Sequence, residues 1–277
     1  MTTVNFRGFR HHPGDREVWR YMDLPSLLWI LENEMLHFSL PDQDFDDPYE
    51  TTLPKAWYEF RKNQWREIGD AWDHDPDEFV QRHVDRRKNM RKNVYVSCWH
   101  ANQTESAAMW ELYGASKYTV AIRTTVDGLR RAFRSQDEYA ITIGDVKYVD
   151  FDSGKNEIDE EDMENIRSVH SGNADSVGLT LLKREEFEHE KEVRCVVLDG
   201  TIQNWLEQNT NHSPKQNIES PVYVPVNVDE LVEEIRLSPG AKDWFIKTAV
   251  DAVENNRNTR FSRKEIRMSQ LDSQRYL

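Results

Sequence analysis

The period of the apolar positions changes several times along the chain, and each change marks an element. Val94, Val96 and Cys98 alternate with Tyr95, Ser97 and Trp99. β-Branched and aromatic residues on both parities predict a strand over 94–99, covered on both faces. A polar break follows. Asn102 then stands as the N-cap of a helix, with Glu105 three residues on to answer the cap's own N–H. Trp110 and Tyr113 lie one turn apart, so their rings leave one face of that helix, as a core wedge or as the wall of a pocket.

The same reading predicts strands near 18–21, 36–39, 119–124, 142–149, 193–198 and 234–238. Asp23 caps a helix that Pro25 opens and Leu27, Leu28, Ile30 and Leu31 stripe. Two helices are expected over 54–92, one carrying Trp57, Phe60 and Trp65, the other Phe79, Val80 and Val84. Residues 179–188 read as helical, and Trp244, Phe245, Thr248, Ala249 and Val253 give a clear amphipathic helix before an edge strand at Ile266. No repeat and no Pro/Gly/Ser linker divides the chain. The expectation is one α+β domain over 1–277, a mixed, mostly antiparallel sheet core with helical insertions. Its core spans 18–240, with exposed insertions at 152–175 and 200–217 and a C-terminal helix and tail over 241–277.

Composition narrows the partners. At 277 residues, 38% of them hydrophobic and nine of them Trp, the chain can bury a full core. A formal net charge of −14 disfavours nucleic acid as a general partner. The exception is the basic run Arg82, Arg86, Arg87, Lys88, Arg91 and Lys92, which also suits a helix C-terminus. Cys98 and Cys195 fall in predicted strands without metal-ligand spacing and read as small buried apolar residues. No apolar run is long enough to span a membrane and no signal-peptide pattern opens the chain, so a cytoplasmic protein with no membrane partner is expected. Nothing in the sequence speaks to oligomeric state.

Among common catalytic motifs, the P-loop, dinucleotide-binding glycines, zincin helix and G-x-S-x-G elbow are missing. His11 and His12 have no third ligand nearby, and the carboxylates of 42–50 lack the glycine and spacing of a calcium loop, so that stretch reads as a solvated turn and no metal is expected. One constellation remains. Arg20 and Tyr21 lie on an early strand, Ser97 and Trp99 on the central one, Trp110 and Tyr113 on the helix after it. Glu190 and Glu192 stand two apart at the lip of a later strand, which at period two puts both carboxylates on one face. Arg194 continues that row, in an arrangement that sets Arg20 across from it. Such a set suits cleavage of a glycosidic bond through an oxocarbenium-like transition state. An Arg clamps phosphate, a Ser braces the sugar, a ring stacks on the leaving base, and Glu190 or Glu192 holds the ribose and faces the developing cation.

The order Arg20, Ser97, Glu190-x-Glu192 resembles the arginine-serine-glutamate class of ADP-ribosyltransferases, which implies NAD, a nucleotide-like small molecule, as substrate. A wider resemblance spans 18–240. Trp19-Arg20-Tyr21, Leu36-His37-Phe38-Ser39, Phe45-Asp46-Asp47-Pro48-Tyr49-Glu50, Ser97-Cys98-Trp99-His100, Ala108 to Tyr113 and Phe187 to Arg194 are similar, in that order, to the prokaryotic "domain of unknown function 2971" family. The chain departs from it with Asp46 where Asn is usual and Thr119 where Gly is usual. This resemblance implies an accessory or effector protein of antiviral systems and no particular reaction. Three functions are therefore in competition: an NAD-using transferase or glycohydrolase, a metal-dependent nuclease built on Asp46, Asp47, Glu50 and Glu190, and a non-catalytic binding or sensor module.

Overall fold

The computed structural model describes residues 4–6, 14–113, 118–135, 139–153, 174–198, 221–256 and 266–272. The insertions expected at 152–175 and 200–217, and the paired histidines, fall almost wholly outside them. Twelve strands are described in chain order: β1 (Val4–Phe6), β2 (Glu17–Asp23), β3 (Met35–Phe38), β4 (Val94–Ala101), β5 (Thr119–Thr125), β6 (Ile141–Asp145), β7 (Lys147–Val149), β8 (Leu182–Arg184), β9 (Glu192–Leu198), β10 (Val222–Pro225), β11 (Glu234–Leu237) and β12 (Ile266–Met268). Eight form one sheet in the order β1-β6-β9-β4-β2-β5-β11-β12, and the pairs β10-β3 and β7-β8 stand apart. The sheet is mixed and mostly antiparallel, parallel only at its outer pairs β1-β6 and β11-β12. The described chain is a single α+β domain.

Helices α1 (Leu24–Asn33), α2 (Pro41–Asp44), α3 (Lys55–Ala71), α4 (Pro76–Arg91), α5 (Ala107–Tyr113), α6 (Val126–Ala132), α7 (Ala174–Leu179), α8 (Val228–Leu231) and α9 (Asp243–Glu254) surround it. Asp23 caps α1 by accepting from the Ser26 N–H at 2.7 Å, and α3 and α4 form the expected helical pair. Both sheet faces are covered. Tyr95, Trp99, Val193, Cys195 and Val197 join the main core on one side, while Val94, Val96 and Val196 pack a smaller cluster on the other.

Three local expectations change. The run 179–188 is not one helix: α7 ends at Leu179, β8 follows, and Glu185–Glu190 form a 3-10 turn. The polar Glu185, Glu186 and Glu188 leave that turn without a buried residue, so no apolar stripe holds a longer helix. The segment 142–149 is two strands, because after Asp145 the chain leaves β9 to pair with β8. The helix after β4 starts only at Ala107, with the Ser106 hydroxyl accepting from the Met109 N–H. Glu105 turns inward instead of capping. Its carboxylate accepts from Trp110 Nε1 at 2.9 Å and Ser269 Oγ at 2.6 Å, and pairs with Arg236 at 3.3 Å. A buried carboxylate needs these partners more than a helix end needs a cap.

That bond, with the Tyr21 ring edge-on at 4.9 Å, makes Trp110 a core residue, 5% exposed. Trp110→Ala should therefore destabilise the protein by about 3–5 kcal/mol through lost burial and a cavity. Tyr113→Ala, at a ring 51% exposed, should cost under about 1 kcal/mol. Urea denaturation of both variants checks the contrast.

Candidate functional site

The site lies where the sheet parts. β2 pairs with β5 along its whole length, from Glu17↔Thr125 to Asp23↔Thr119. Against β4 it pairs only at Val18↔Ala101 and Trp19↔His100. Beyond those two pairs the strands diverge, and β4 turns its backbone to Ser39, with Val96 N–H donating to Ser39 O at 2.8 Å and Ser39 N–H to Val96 O at 2.9 Å. The ladder groups of Val96 are thus satisfied away from β2, so the gap costs no orphaned backbone there. A cleft of about 940 Å³ opens through it.

Because the cleft passes through the sheet, residues of both faces reach it. Arg20, Ser97 and Trp99 come from the main-core face, and Tyr21, Cys98, His100 and Glu192 from the other. The Arg20 guanidinium donates to Ser97 Oγ and, at 3.4 Å, to the His37 carbonyl, and lies 5.8 Å from the centre of the Trp99 ring. Among the described residues no carboxylate pairs with it. Burial lowers its pKa, but a guanidinium keeps its charge. Burial, with the Arg20 charge behind it, also lowers the pKa of His37.

Glu190 and Glu192 reach the same cleft by a different route from the period-two row. Glu190 closes the 3-10 turn, Lys191 takes a left-handed φ of 44°, and Glu192 opens β9. The two carboxylates converge on Lys183 of β8, whose Nζ lies 2.8 Å from Glu190 Oε2 and 2.6 Å from Glu192 Oε1. His100 steadies the turn, its Nδ1 lying 2.6 Å from the Glu190 carbonyl oxygen. Burial lowers the His100 pKa, so the ring is neutral at pH 7 and Nδ1–H is the donor.

Arg194 lies behind this pair on the opposite sheet face from Arg20, with β4 between their strands, so the two arginines are not across from one another. It is fully buried. Both ends of its guanidinium meet Glu50 at 2.8 Å, Nε donates to Glu192 Oε2, and NH1 donates to the Thr180 carbonyl at 2.7 Å. Asp47 is likewise paired, at 3.1 Å with Arg184, and Arg91 of the basic run is held by Asp42 at 2.6 Å. The stretch 42–50 is solvated at Asp42, Gln43, Asp44, Asp46, Pro48 and Tyr49, as expected of a turn, but not at Asp47 and Glu50. Glu50 and Asp47 are buried because cations from β9 and β8 neutralise them.

Charge decides how the two carboxylates titrate. Burial alone would raise Glu192, but Arg194 and then Lys183 hold it well below the usual carboxylate range. Glu190 is raised to about 7, first by burial and then by its hydrogen bond to Glu192 and the charge there, against the pull of Lys183. Near neutrality the pair carries one proton that moves on and off Glu190.

Of the residues singled out in the sequence, Arg20, Tyr21, Ser97, Trp99, Tyr113, Glu190 and Glu192 line one cleft. Trp110 stands behind Tyr21, and Arg194 beneath Glu192, so neither is on its surface. Lys183, Trp29 and Tyr223, which carry no sequence motif, also line it, as does His37 of the Leu36–Ser39 motif. Among the described residues no group of three His, Cys, Asp or Glu side chains is arranged to hold a metal, and no helix is long and apolar enough to cross a membrane.

A family model described as "Protein of unknown function (DUF2971)" matches residues 109–195, a span that runs from α5 into β9 and includes Lys183, Glu190, Glu192 and Arg194. It is the family that the sequence motifs resemble. No curated protein matches the chain. Among solved structures, DarT of Thermus sp. 2.9, in complex with carba-NAD+, is similar at a TM-score of 0.39 and 8% identity, over 94% of this chain and 98% of that one. A likeness at that TM-score carries no argument about chemistry, which has to rest on the cleft itself.

Two outcomes follow from the charge cluster. Arg194→Met should destabilise by about 3–5 kcal/mol, because it strands Glu50 and Glu192 without their cation, and urea denaturation reads it. Carbon-13 NMR of the side-chain carboxyls should show a Glu signal titrating near pH 7 that vanishes in Glu190→Gln. In Lys183→Met that midpoint should rise further, since the cation that favours the ionised form is gone.

Proposed function

We propose that the cleft binds a nicotinamide dinucleotide and breaks the bond between its ribose and nicotinamide, passing ADP-ribose to an acceptor or to water. One observation carries this reading. A guanidinium with no acidic partner among the described residues and a pair of carboxylates line the same cleft, brought there from opposite faces of a parted sheet. Arg20 suits a diphosphate, with Ser97 fixing its orientation. The carboxylates suit the positive charge that gathers on the ribose as the bond breaks.

In the step itself, the electrons of the C1′–N1 bond leave with nicotinamide and the ribosyl C1′ becomes cationic. An acceptor oxygen or nitrogen then bonds to C1′ and releases one proton. We assign Glu190 to the charge-facing role, because Glu192 is committed to Lys183 through one oxygen and to Arg194 through the other. Glu192 and Lys183 position it. Tyr113, half exposed at the cleft, supplies a ring near the reacting ribose.

Three contacts weaken the nuclease reading. Asp47, Glu50 and Glu190 already face Arg184, Arg194 and Lys183, and these cations repel a divalent ion. The effector role in antiviral systems and the cytoplasmic setting are part of this proposal and rest on the family resemblance.

Nicotinamide release from NAD tests the reading, measured with water alone and with nucleic-acid and protein acceptors. Glu190→Gln and Arg20→Ala should each lower the rate by about 10²-fold or more while the fold persists. Wild-type activity should climb with pH through about 7, because Glu190 acts ionised and its pKa is raised. If wild type neither binds nor consumes NAD under any of these conditions, the reading is wrong and a binding module takes its place.

A further inference from the structure

The cleft carries a ring cluster that the reaction just described does not use. β10 and β3 pair so that Tyr223 stands opposite His37. Val222 and Val224 point into the core, which turns Tyr223 the other way, 44% exposed, into the cleft. Its ring centre is 5.9 Å from that of His37 and 4.8 Å from that of Trp29 on α1. Three rings from three elements therefore meet on the cleft wall, where a large apolar surface left in water would be costly unless something covers it.

We infer that Trp29, His37 and Tyr223 form a stacking subsite for a neutral purine base, so that the cleft selects an adenine dinucleotide over the nicotinamide half alone. This rests on the reading of the cleft as a dinucleotide site and fixes which end goes where. Arg20 donates to the His37 carbonyl and to Ser97, so the anion-binding group adjoins the ring-bearing strand. The carboxylates enter from β9 and the turn before it, joined by Lys183 of β8, on the far side of β4. The chemistry along the cleft thus runs from rings to guanidinium to carboxylates. A molecule built as neutral base, diphosphate and cationic pyridinium matches that order in one direction only. The pyridinium belongs beside Glu190 and Glu192, and adenine, uncharged and flat, belongs on the rings. A volume of about 940 Å³ leaves room for both halves.

The test is calorimetric titration of the full chain with AMP, ADP-ribose and nicotinamide mononucleotide. In Tyr223→Leu, and independently in Trp29→Leu, the Kd for AMP and ADP-ribose should rise about tenfold or more, as expected for loss of a stacking ring. The Kd for nicotinamide mononucleotide should stay within about twofold. Tyr223→Phe, which keeps the ring, should bind as wild type, and a thermal melt of each variant separates lost stacking from lost folding. Equal losses for AMP and nicotinamide mononucleotide, no loss for either, or a wild type that binds neither AMP nor ADP-ribose would each overturn the subsite. Failure of the reaction shows itself differently: adenine nucleotides would bind in a ring-dependent way while NAD is never consumed.

Discussion

The buried guanidinium of Arg194 is the constraint on which this molecule turns. A fully desolvated charge is tolerable only with close partners of opposite sign, and it finds them in Glu50 and Glu192, which are 142 residues apart in sequence. One consequence is structural: the acidic stretch after α2 is drawn down onto β9, and the carbonyl of Thr180 is held by the same fork. The other is electrostatic. Glu192 stays ionised in a buried place, and everything near it titrates in its field.

The parting of β2 from β4 does comparable work for the opposite wall. A continuous ladder would have sent Arg20 and Glu192 to opposite sides of a closed sheet, where no ligand touches both. By pairing at two positions only, and letting Ser39 take over the backbone of Val96, the sheet keeps its hydrogen bonds and still opens a passage. A loss of pairing that normally weakens a sheet therefore becomes the way in which two faces share one site.

Much of the fold was legible because its strands and helices have strong local periods. The strands expected at 94–99, 119–124 and 193–198 are found, within two residues at their ends, as Val94–Ala101, Thr119–Thr125 and Glu192–Leu198, and the helix with Phe245, Ala249 and Val253 stands where its stripe put it. The site was legible only in part. Arg20, Ser97, Glu190 and Glu192 stand in recognisable order and do reach one cleft. Lys183, which joins the two carboxylates, sits in a three-residue strand with no period to betray it. Glu50 looked solvated since its neutralising partner is distant in sequence, and a turn rich in acids is soluble by default. Trp110 and Arg194 were drawn into the site by neighbouring residues, yet a ring and a charge that satisfy themselves inside the core have no reason to face a ligand.

Charge balance links the buried cluster to the chemistry of the cleft. Among the described residues, Glu50, Glu190 and Glu192 gather around two cations, Arg194 and Lys183. Two of the three carboxylates are neutralised, and the excess charge settles on Glu190, which has the weakest hold on a cation and a pKa raised to about 7. The cluster is thus neutral when Glu190 is protonated and short of one positive charge when it is not. A divalent metal would overfill that deficit. A single positive charge developing on a ribose, or carried by a pyridinium, would fill it, and would do so on the one carboxylate that is not already committed to the core.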